Sequence, residues 1–442
     1  MKRFRRTPVI VDGGSSAFRL LFSSLLLLSL TVHAFESIAP QLSILSFFCD
    51  LIVSVLTVSM FVNIKRLANA PLLPSMMIMV LVVFDLVMLF YRSTDLTLFL
   101  WGARNQYRFL LLFLAVIVFL KESDLPHFVD LMDKVLILNL FVVTVQFFVC
   151  GVRGDYLGGT FGVGQGCNGM LNIFICVEFA SALSRYMAGE IPGKKAAFVA
   201  FICLYWAALA ELKYFYLEVA IIALVVILGS GRDIEKKVKI ALILVAGLIV
   251  STNTLVMLFP SFVDYFNPGS MVHYFTHIGY GVGGFNRSTA LSICQTLFFN
   301  NDFGLCLAGL GLGNAEYSDQ IAVFNSDFYK TYKLYGYNGY LDSMIFVERG
   351  YLGLAWYIVF FALSGFESWR KMKVTSGYAN ALMVMCLALS FIFLLGLLYD
   401  SALRTSSSGY IAFFVMAIPF LVGKLEGDSL EGKLKGQSLW AR

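Results

Sequence analysis

Long apolar runs constrain this chain more than any other feature of its sequence. About twelve segments approach the roughly 20 apolar residues that a helix needs to cross a bilayer. The alternating ten-residue segments typical of a transmembrane β-barrel do not occur in the sequence. The pattern predicts an all-α polytopic protein in a lipid bilayer. The segments lie near residues 18–36, 41–63, 74–91, 104–120, 132–150, 168–186, 196–211, 213–230, 239–258, 343–366, 379–399 and 408–423.

The composition agrees with a membrane protein. Hydrophobic residues make up 59% of the chain and charged residues only 14%, whereas a soluble domain carries about 25% charged residues. The net charge of +5 does not indicate nucleic-acid binding, because the basic residues are placed as expected for orienting a membrane protein.

Lys and Arg alternate between successive loops, as the positive-inside rule expects of cytoplasmic loops. The pattern predicts that both termini are cytoplasmic. The loop at 121–131, with only Lys121, is the exception. In a bacterium the protein would be a multi-pass inner-membrane protein. The predicted cytoplasmic basic residues are Lys65, Arg66, Arg185, Lys194, Lys195, Arg232, Lys236, Lys237, Arg370, Lys371 and Lys373, with Lys433, Lys435 and Arg442 in the tail.

One long polar interval, residues 259–342, divides the chain. At roughly 80 residues it far exceeds the ~12–15 at which structureless loops become uncommon, and loops carry function on rigid scaffolds. We therefore expect three parts: helices 1–9 in residues 1–258, a large periplasmic loop at 259–342, and helices 10–12 with a cytoplasmic tail in 343–442. A spacer or a docking surface for a partner is the alternative role for the loop.

Several basic residues fall on the predicted outer side, among them Arg153, Lys213 and Arg287. Arginine binds phosphate oxygens through two parallel bonds, and lysine acts as a point charge. If they converge on one cavity, they would bind an anionic group such as a lipid diphosphate. For Lys213 a simple ion pair with Glu211 is the structural alternative. Arg287 is the only arginine in the long loop.

Asp342 stands at the outer entrance of the tenth predicted helix. An acid there is either a base acting on substrate or the N-cap of the helix. Tyr337 and Tyr340 belong to a tyrosine-rich run just before it. Tyrosines form membrane-interface belts and also sugar-binding surfaces, and composition does not separate the two.

Neither metal nor nucleotide binding is predicted. No Cys-x-x-Cys spacing occurs, and the pair His273 and His277 is weak support for a metal. The Gly-rich runs at 158–162 and 309–314 do not belong to a strand–turn–helix unit, so we expect them to pack loops rather than hold a cofactor. Cys294 and Cys306 are a candidate disulfide on an oxidising side of the membrane.

Three motifs occur in order around the long loop. Residues 153–168 run from Arg through Gly-Thr-Phe-Gly at 159–162 to Asn. Asn-Arg-Ser at 286–288 precedes Gly-Leu-Gly-Leu-Gly-Asn at 309–314. Tyr-Leu-Asp-Ser at 340–343 precedes Glu-Arg-Gly-Tyr-Leu-Gly at 348–353. Across roughly residues 150–370 this order resembles the polysaccharide polymerase and O-antigen ligase superfamily of bacterial inner membranes.

The resemblance implies a membrane fold of the glycosyltransferase C type and metal-independent glycan transfer from undecaprenyl diphosphate. Arg287 matches the family's loop arginine, and Lys213 falls where the family commonly has Arg at a helix start. The expected substrates are undecaprenyl-diphosphate-linked oligosaccharides. A flippase and a chain-length regulator are the expected partners, and no cofactor is implied. Asp342 is the candidate base, and Arg153, Tyr337 and Tyr340 are candidate substrate-binding residues.

The sequence is also compatible with two other functions. An O-antigen ligase is less favoured, because Tyr337 stands where the ligases resemble one another in a His. A lipid-linked glycan flippase or other transporter would suit twelve helices equally well. Asp85, Glu178 and Glu218, acids within apolar runs, would support a transporter, whereas the absence of an internal repeat favours an enzyme.

The topology is directly testable. Reporter fusions at Gly193 and Gly269 are expected to lie on opposite sides of the membrane, because the Lys and Arg bias places the first in a cytoplasmic loop and the second outside. Measured reporter activity on the same side for both would contradict the twelve-helix topology.

Overall fold

The computed structural model describes residues 13–231, 234–260, 282–318 and 320–422. This part of the chain is helical and has no strand; its one β-bridge joins Leu157 and Val163. The all-α prediction is confirmed at this level. His273 and His277, and the tail from residue 423, lie outside the described residues.

Each of the twelve predicted segments overlaps a helix of 15 residues or more. Eight of the described helices, α1 to α4, α6 and α9 to α11, are long and apolar enough to cross a membrane. α8 and α12 are shorter apolar helices. The structure therefore supports a polytopic membrane protein, while twelve spans and their sidedness remain predictions. The bounds are α1 Gly13–Ile38, α2 Ser46–Val62, α3 Leu72–Tyr91, α4 Leu96–Phe119, α5 Leu125–Phe148, α6 Cys167–Met187, α7 Gly193–Leu209, α8 Phe215–Gly229, α9 Ile234–Leu258, α10 Leu341–Met372, α11 Gly377–Tyr399 and α12 Ser406–Leu421.

Burial separates central from peripheral helices. α6 and α11 are largely enclosed, whereas α2, α3 and α9 leave most of their apolar residues exposed. Those exposed faces are suited to lipid. α10 and α11 pack closely because Gly365 faces Ser390, where an added Cβ would come within 3.0 Å of the Ser390 Cβ. Small residues that let helix backbones approach are typical of membrane interfaces.

The described part of the long loop is folded into short helices. They span Ala290–Ile293, the π-helical turn Cys294–Phe298, Phe303–Ala308 and Asp327–Tyr332. Residues 261–281 and 319 of this loop lie outside the described residues.

A buried ion pair connects α3 with α10. Arg349 donates from Nε and Nη2 to the two carboxylate oxygens of Asp85 at 2.8 and 2.7 Å, and both side chains are 0% exposed. On α4, Gln106 accepts a hydrogen bond from Arg349 and donates to Glu348 at 2.6 Å, while Tyr107 donates to Asp85. Three helices are thus joined by a nearly fully paired polar network.

The same network holds the Gly-rich loop. α10 breaks at Gly350, whose φ of 62° is left-handed and whose backbone lies against residues 306 and 307. The break leaves the carbonyls of Val347 and Glu348 to accept from the N–H groups of residues 310 and 311, each at 2.9 Å. The Glu348 carboxylate also accepts from the Gly313 N–H at 3.0 Å. The Gly-rich run at 309–314 therefore packs a loop, as the sequence suggested.

Neutralising Asp85 should destabilise the protein severely. Asp85→Asn leaves the Arg349 charge uncompensated among apolar helices, and breaking a buried pair in this way typically costs about 3–5 kcal/mol. We expect a clearly lower unfolding temperature in detergent and lower abundance in membranes. Asp130→Asn is the matched control, because its pair with Lys134 is exposed and worth about 0–1 kcal/mol. Equal stability of the two variants would contradict the role assigned to the network.

Candidate functional site

A cavity of about 600 Å³ opens where several loops meet at one end of the bundle. Its walls come from residues 155–172, the break between α7 and α8 at 211–214, residue 287, the segment 336–339 and the turn between α11 and α12 at 399–405. Segments distant in sequence therefore share one concave, mixed polar and apolar surface, which is the usual form of a ligand site.

Arg287 is held at the cavity by Tyr399, the last residue of α11. Its Nε donates to the Tyr399 carbonyl at 3.1 Å, and its guanidinium lies 4.3 Å from the centre of the Tyr399 ring. Tyr399 in turn stacks on Tyr214 with ring centres 3.9 Å apart and planes within 7°. A cation–π contact and a hydrogen bond to a carbonyl together orient a guanidinium. The predicted anion-binding residue is therefore positioned in advance.

Lys213 reaches the cavity from a strained turn. Glu211 has a φ of 56°, which is unusual for a residue with a side chain, and its carbonyl accepts from the Lys213 N–H at 2.9 Å. Lys213 also lies 3.0 Å from the Glu211 carboxylate. The ion pair that the sequence offered as an alternative is present, and it leaves Lys213 on the cavity wall. Backbone strain of this kind costs about 1–3 kcal/mol and is often found at functional sites.

The start of α6 forms the third positive element. Gly166, at φ 82°, precedes the helix, and residues 166–170 line the cavity. The first N–H groups of a helix attract anions through their partial positive charge. Asn168 donates to Asp155 at 2.9 Å and to the Ala210 carbonyl at 3.2 Å, which ties this end to the Lys213 turn.

Asp400 is an acid on the same wall. One of its oxygens accepts from the Ala402 N–H at 2.8 Å, and the other stands over Gly169 at the start of α6. Burial raises the pKa of Asp400 above its ordinary value, although the Ala402 N–H and the Arg287 charge act against this rise. A carboxyl group with a raised pKa is better matched to proton transfer near neutral pH.

A second cavity of about 290 Å³ adjoins the first. Tyr317, Asn338, Ser401 and Thr405 line both, so the two form one continuous surface. Its distinguishing residues are three arginines: two from α4, Arg104 and Arg108, and Arg404 from the turn after α11.

Acids hold these arginines in place. On α2, Asp50 accepts from Arg104 and, at 3.4 Å, from Arg108, while Glu316 accepts from Arg404. Within the part of the chain that the structure describes, the buried Nε atoms of Arg108 and Arg404 have no hydrogen-bond partner.

The predicted site residues divide into two groups. Arg287 and Lys213 line the large cavity together. Arg153 is exposed and lies 5.4 Å from the Phe147 ring, and Tyr337 is fully buried with its hydroxyl donating to the Ala315 carbonyl at 2.8 Å. Tyr340 is buried beneath Arg287, 6.0 Å from its guanidinium.

Asp342 is not brought to the cavity. Among the described lining residues it does not appear, and it is buried at the start of α10, where it accepts from its neighbour Ser343. The N-cap role, the alternative weighed from the sequence, is not observed either, because Tyr340 occupies the N-cap of α10 and no side chain caps the helix. Of the two acids Asp342 and Asp400, it is Asp400 that lines the cavity with Arg287.

Sequence reasoning missed Asp400, Tyr399 and Tyr214. All three lie at helix ends, where an apolar run begins or stops on the predicted outer side. The signal available was an acid directly after a long apolar run, on the same predicted side as Arg287. These three residues come together because α8 and α11 pack against each other, and local sequence patterns do not predict that packing.

The candidate disulfide is not formed. Cys294 and Cys306 are both free thiols in the structure, which corrects that expectation. Burial raises the pKa of the Cys294 thiol, so it is a poor nucleophile.

Comparison with known proteins adds no assignment. No protein-family model matches the sequence, and no curated protein matches it.

Proposed function

We propose that this protein is a membrane glycosyltransferase that polymerises undecaprenyl-diphosphate-linked oligosaccharide repeat units. The product would be an O-antigen, a capsular polysaccharide or an exopolysaccharide. The observation that supports this most directly is the meeting of Arg287, Lys213 and the start of α6 in one cavity beside Asp400. The motif resemblance supplies the reaction class.

The cationic groups suit a diphosphate. When the bond between the sugar C1 and the diphosphate oxygen breaks, negative charge develops on the departing oxygen. Preorganised donors stabilise such charge more effectively than solvent that must reorganise. Arg287 would donate hydrogen bonds to two phosphate oxygens, and Lys213 and the first N–H groups of α6 would bind the others. The proposed chemistry therefore does not rely on a metal.

Asp400 is our proposed general base. The attacking sugar hydroxyl forms the new bond to C1 and passes its proton to the Asp400 carboxylate, while the carrier diphosphate leaves with the bonding electrons. This assignment replaces Asp342, which does not line the cavity and whose Oδ1 accepts from the Ser343 N–H and hydroxyl.

The second cavity is our proposed site for the acceptor. Besides its arginines it is lined by Trp101, whose ring stacks on Phe324 at 4.2 Å and lies 4.6 Å from the Arg104 guanidinium. The Trp101 indole donates to the Tyr317 carbonyl at 3.0 Å. Sugars pack against such aromatic faces, and arginines supply donors to their hydroxyl and acidic groups. A hydroxyl bound here would approach the large cavity through the shared wall.

The proposal includes the cellular setting. We propose twelve spans in a glycosyltransferase C-type fold, both termini in the cytoplasm, and the cavity on the periplasmic side of a bacterial inner membrane. A flippase would deliver the substrate, and a chain-length regulator would act on the product.

The transporter alternative loses support from two of its three acids. Asp85 is paired with Arg349, and Glu218 accepts from Asn172 at 2.7 Å and from Cys176. Acidic side chains with such partners connect neighbouring helices, and they do not by themselves indicate a pathway for a transported substrate. For the ligase alternative, Tyr337 is committed to a backbone carbonyl and does not substitute for a catalytic His.

Removing Arg287 should abolish polymer formation. Arg287→Ala loses the contact to the departing diphosphate, and loss of a preorganised donor typically reduces the rate by about 10²–10³. Arg287→Lys should restore little, because the planar two-pronged geometry is lost. The measurement is polymer length distribution together with protein level in membranes.

Lys330→Ala is the matched control, since Lys330 is an exposed loop cation paired with Asp327. It should leave polymer length unchanged. Normal long polymer from Arg287→Ala at wild-type abundance would remove this residue from the site. Loss of protein with loss of polymer would instead make Arg287 a structural residue.

Asp400 and Asp342 can be separated by isosteric substitution. Asp400→Asn should abolish glycosyl transfer, because the amide cannot accept the proton. Asp342→Asn should leave glycosyl transfer intact, because the amide oxygen can still accept the hydrogen bonds from Ser343. A general base works deprotonated, so wild-type activity should fall as pH drops through the raised pKa of Asp400, at a higher pH than the usual ~3.9 of aspartate. Initial rates against pH with purified protein and lipid-linked substrate test this. Full activity of Asp400→Asn would refute the assignment.

A further inference from the structure

A third cavity lies at the opposite side of the bundle from the catalytic residues in the chain's predicted topology. It is a groove of about 470 Å³ between α6, α7 and α9. Its walls are apolar and come from side chains such as Phe179, Leu183, Ile243 and Leu244. Neither the proposed reaction nor the motifs account for it.

One end of this groove is basic. Lys194 in the first turn of α7 and Lys239 in the second turn of α9 both line it and are both exposed. Among the described residues, no carboxylate forms an ion pair with either lysine. The neighbouring Lys195 differs, because it is bound to Asp133 at 2.6 Å. The groove therefore carries two positive charges that its own walls do not neutralise.

The basic end also has polar donors suited to a phosphate ester. Tyr186, near the end of α6, lies over Gly193, whose added Cβ would come within 3.2 Å of the ring. Gly193 begins α7, a helix of 17 residues, so the first N–H groups of that helix face the same end of the bundle. Cationic side chains with a helix N-terminus attract an anionic headgroup, while the apolar walls match an acyl chain.

We propose that this groove binds an anionic phospholipid, with its phosphate at Lys194 and Lys239 and an acyl chain along the apolar walls. The charge pattern selects this occupant over a zwitterionic lipid, whose headgroup brings its own positive charge to the lysines. Basic pockets between membrane helices on the cytoplasmic side are suited to acidic headgroups. The predicted topology puts the loop with Lys194 on that side. The site does not depend on the proposed glycosyl transfer.

The test is selective lipid retention by the purified full-length protein. The protein is reconstituted in nanodiscs of equal parts phosphatidylglycerol and phosphatidylcholine, released into detergent, and examined by native mass spectrometry. Wild type should retain phosphatidylglycerol in clear excess. Each lysine should contribute about five-fold, or about 1 kcal/mol, so that the double variant Lys194→Gln, Lys239→Gln loses about 25-fold of the preference.

Two further variants separate the groove from general surface charge. Ala200→Phe fills the apolar part without changing charge and should also reduce retention. Lys134→Gln removes an exposed lysine of α5 that pairs with Asp130 outside the groove, and should leave the preference intact. Equal retention of both lipids by wild type, or unchanged preference in the double lysine variant, would overturn the proposal. If Lys134→Gln lowered the preference for phosphatidylglycerol as much as the groove variants do, the lipid would be bound by non-specific surface charge. That result would refute the site.

Discussion

A guanidinium enclosed by apolar helices is stable only if its charge is balanced and its N–H groups are bonded. Arg349 meets this condition through Asp85 and Gln106, which come from two other helices. Displacing α3 would leave the Arg349 charge unpaired, and displacing α4 would leave one of its N–H groups without an acceptor, in a medium that solvates neither. The positions of α3, α4 and α10 are therefore coupled, and the break at Gly350 extends this coupling to the loop that precedes α10.

That coupling explains why the Gly-rich run and the Glu-x-Gly motif occur together. The break in α10 exposes two carbonyls, which accept from the backbone N–H groups of residues 310 and 311. Glu348 then accepts from Gly313, whose added Cβ would lie only 2.2 Å from the Leu98 carbonyl on α4. The long loop is consequently fastened to the bundle close to the segments that form the cavities. A rigid scaffold with functional loops at one end is a common arrangement for an active site.

The two adjoining cavities have different charge environments. In the large cavity Arg287 contacts the ring and the carbonyl of Tyr399, and Asp400 lies on the same wall. In the second cavity Asp50 and Glu316 balance much of the charge of three arginines. Under the proposed function, the first would stabilise a strongly anionic leaving group and the second would bind a less charged sugar acceptor. The groove between α6, α7 and α9 is a separate feature, lined by Lys194 and Lys239.

The sequence by itself determined the class of the protein and the positions of its helices, because the bilayer requires long apolar runs and the backbone within them must bond to itself. It also identified Arg287 and Lys213, since cations at the ends of apolar runs stand out. It did not identify Asp400 or Tyr399, and it put Asp342 in the role of base. Only the tertiary structure decided these points. Whether an acid at a helix end faces a cavity or is buried among its neighbours depends on the packing of helices far apart in the chain, and local pattern does not contain that packing.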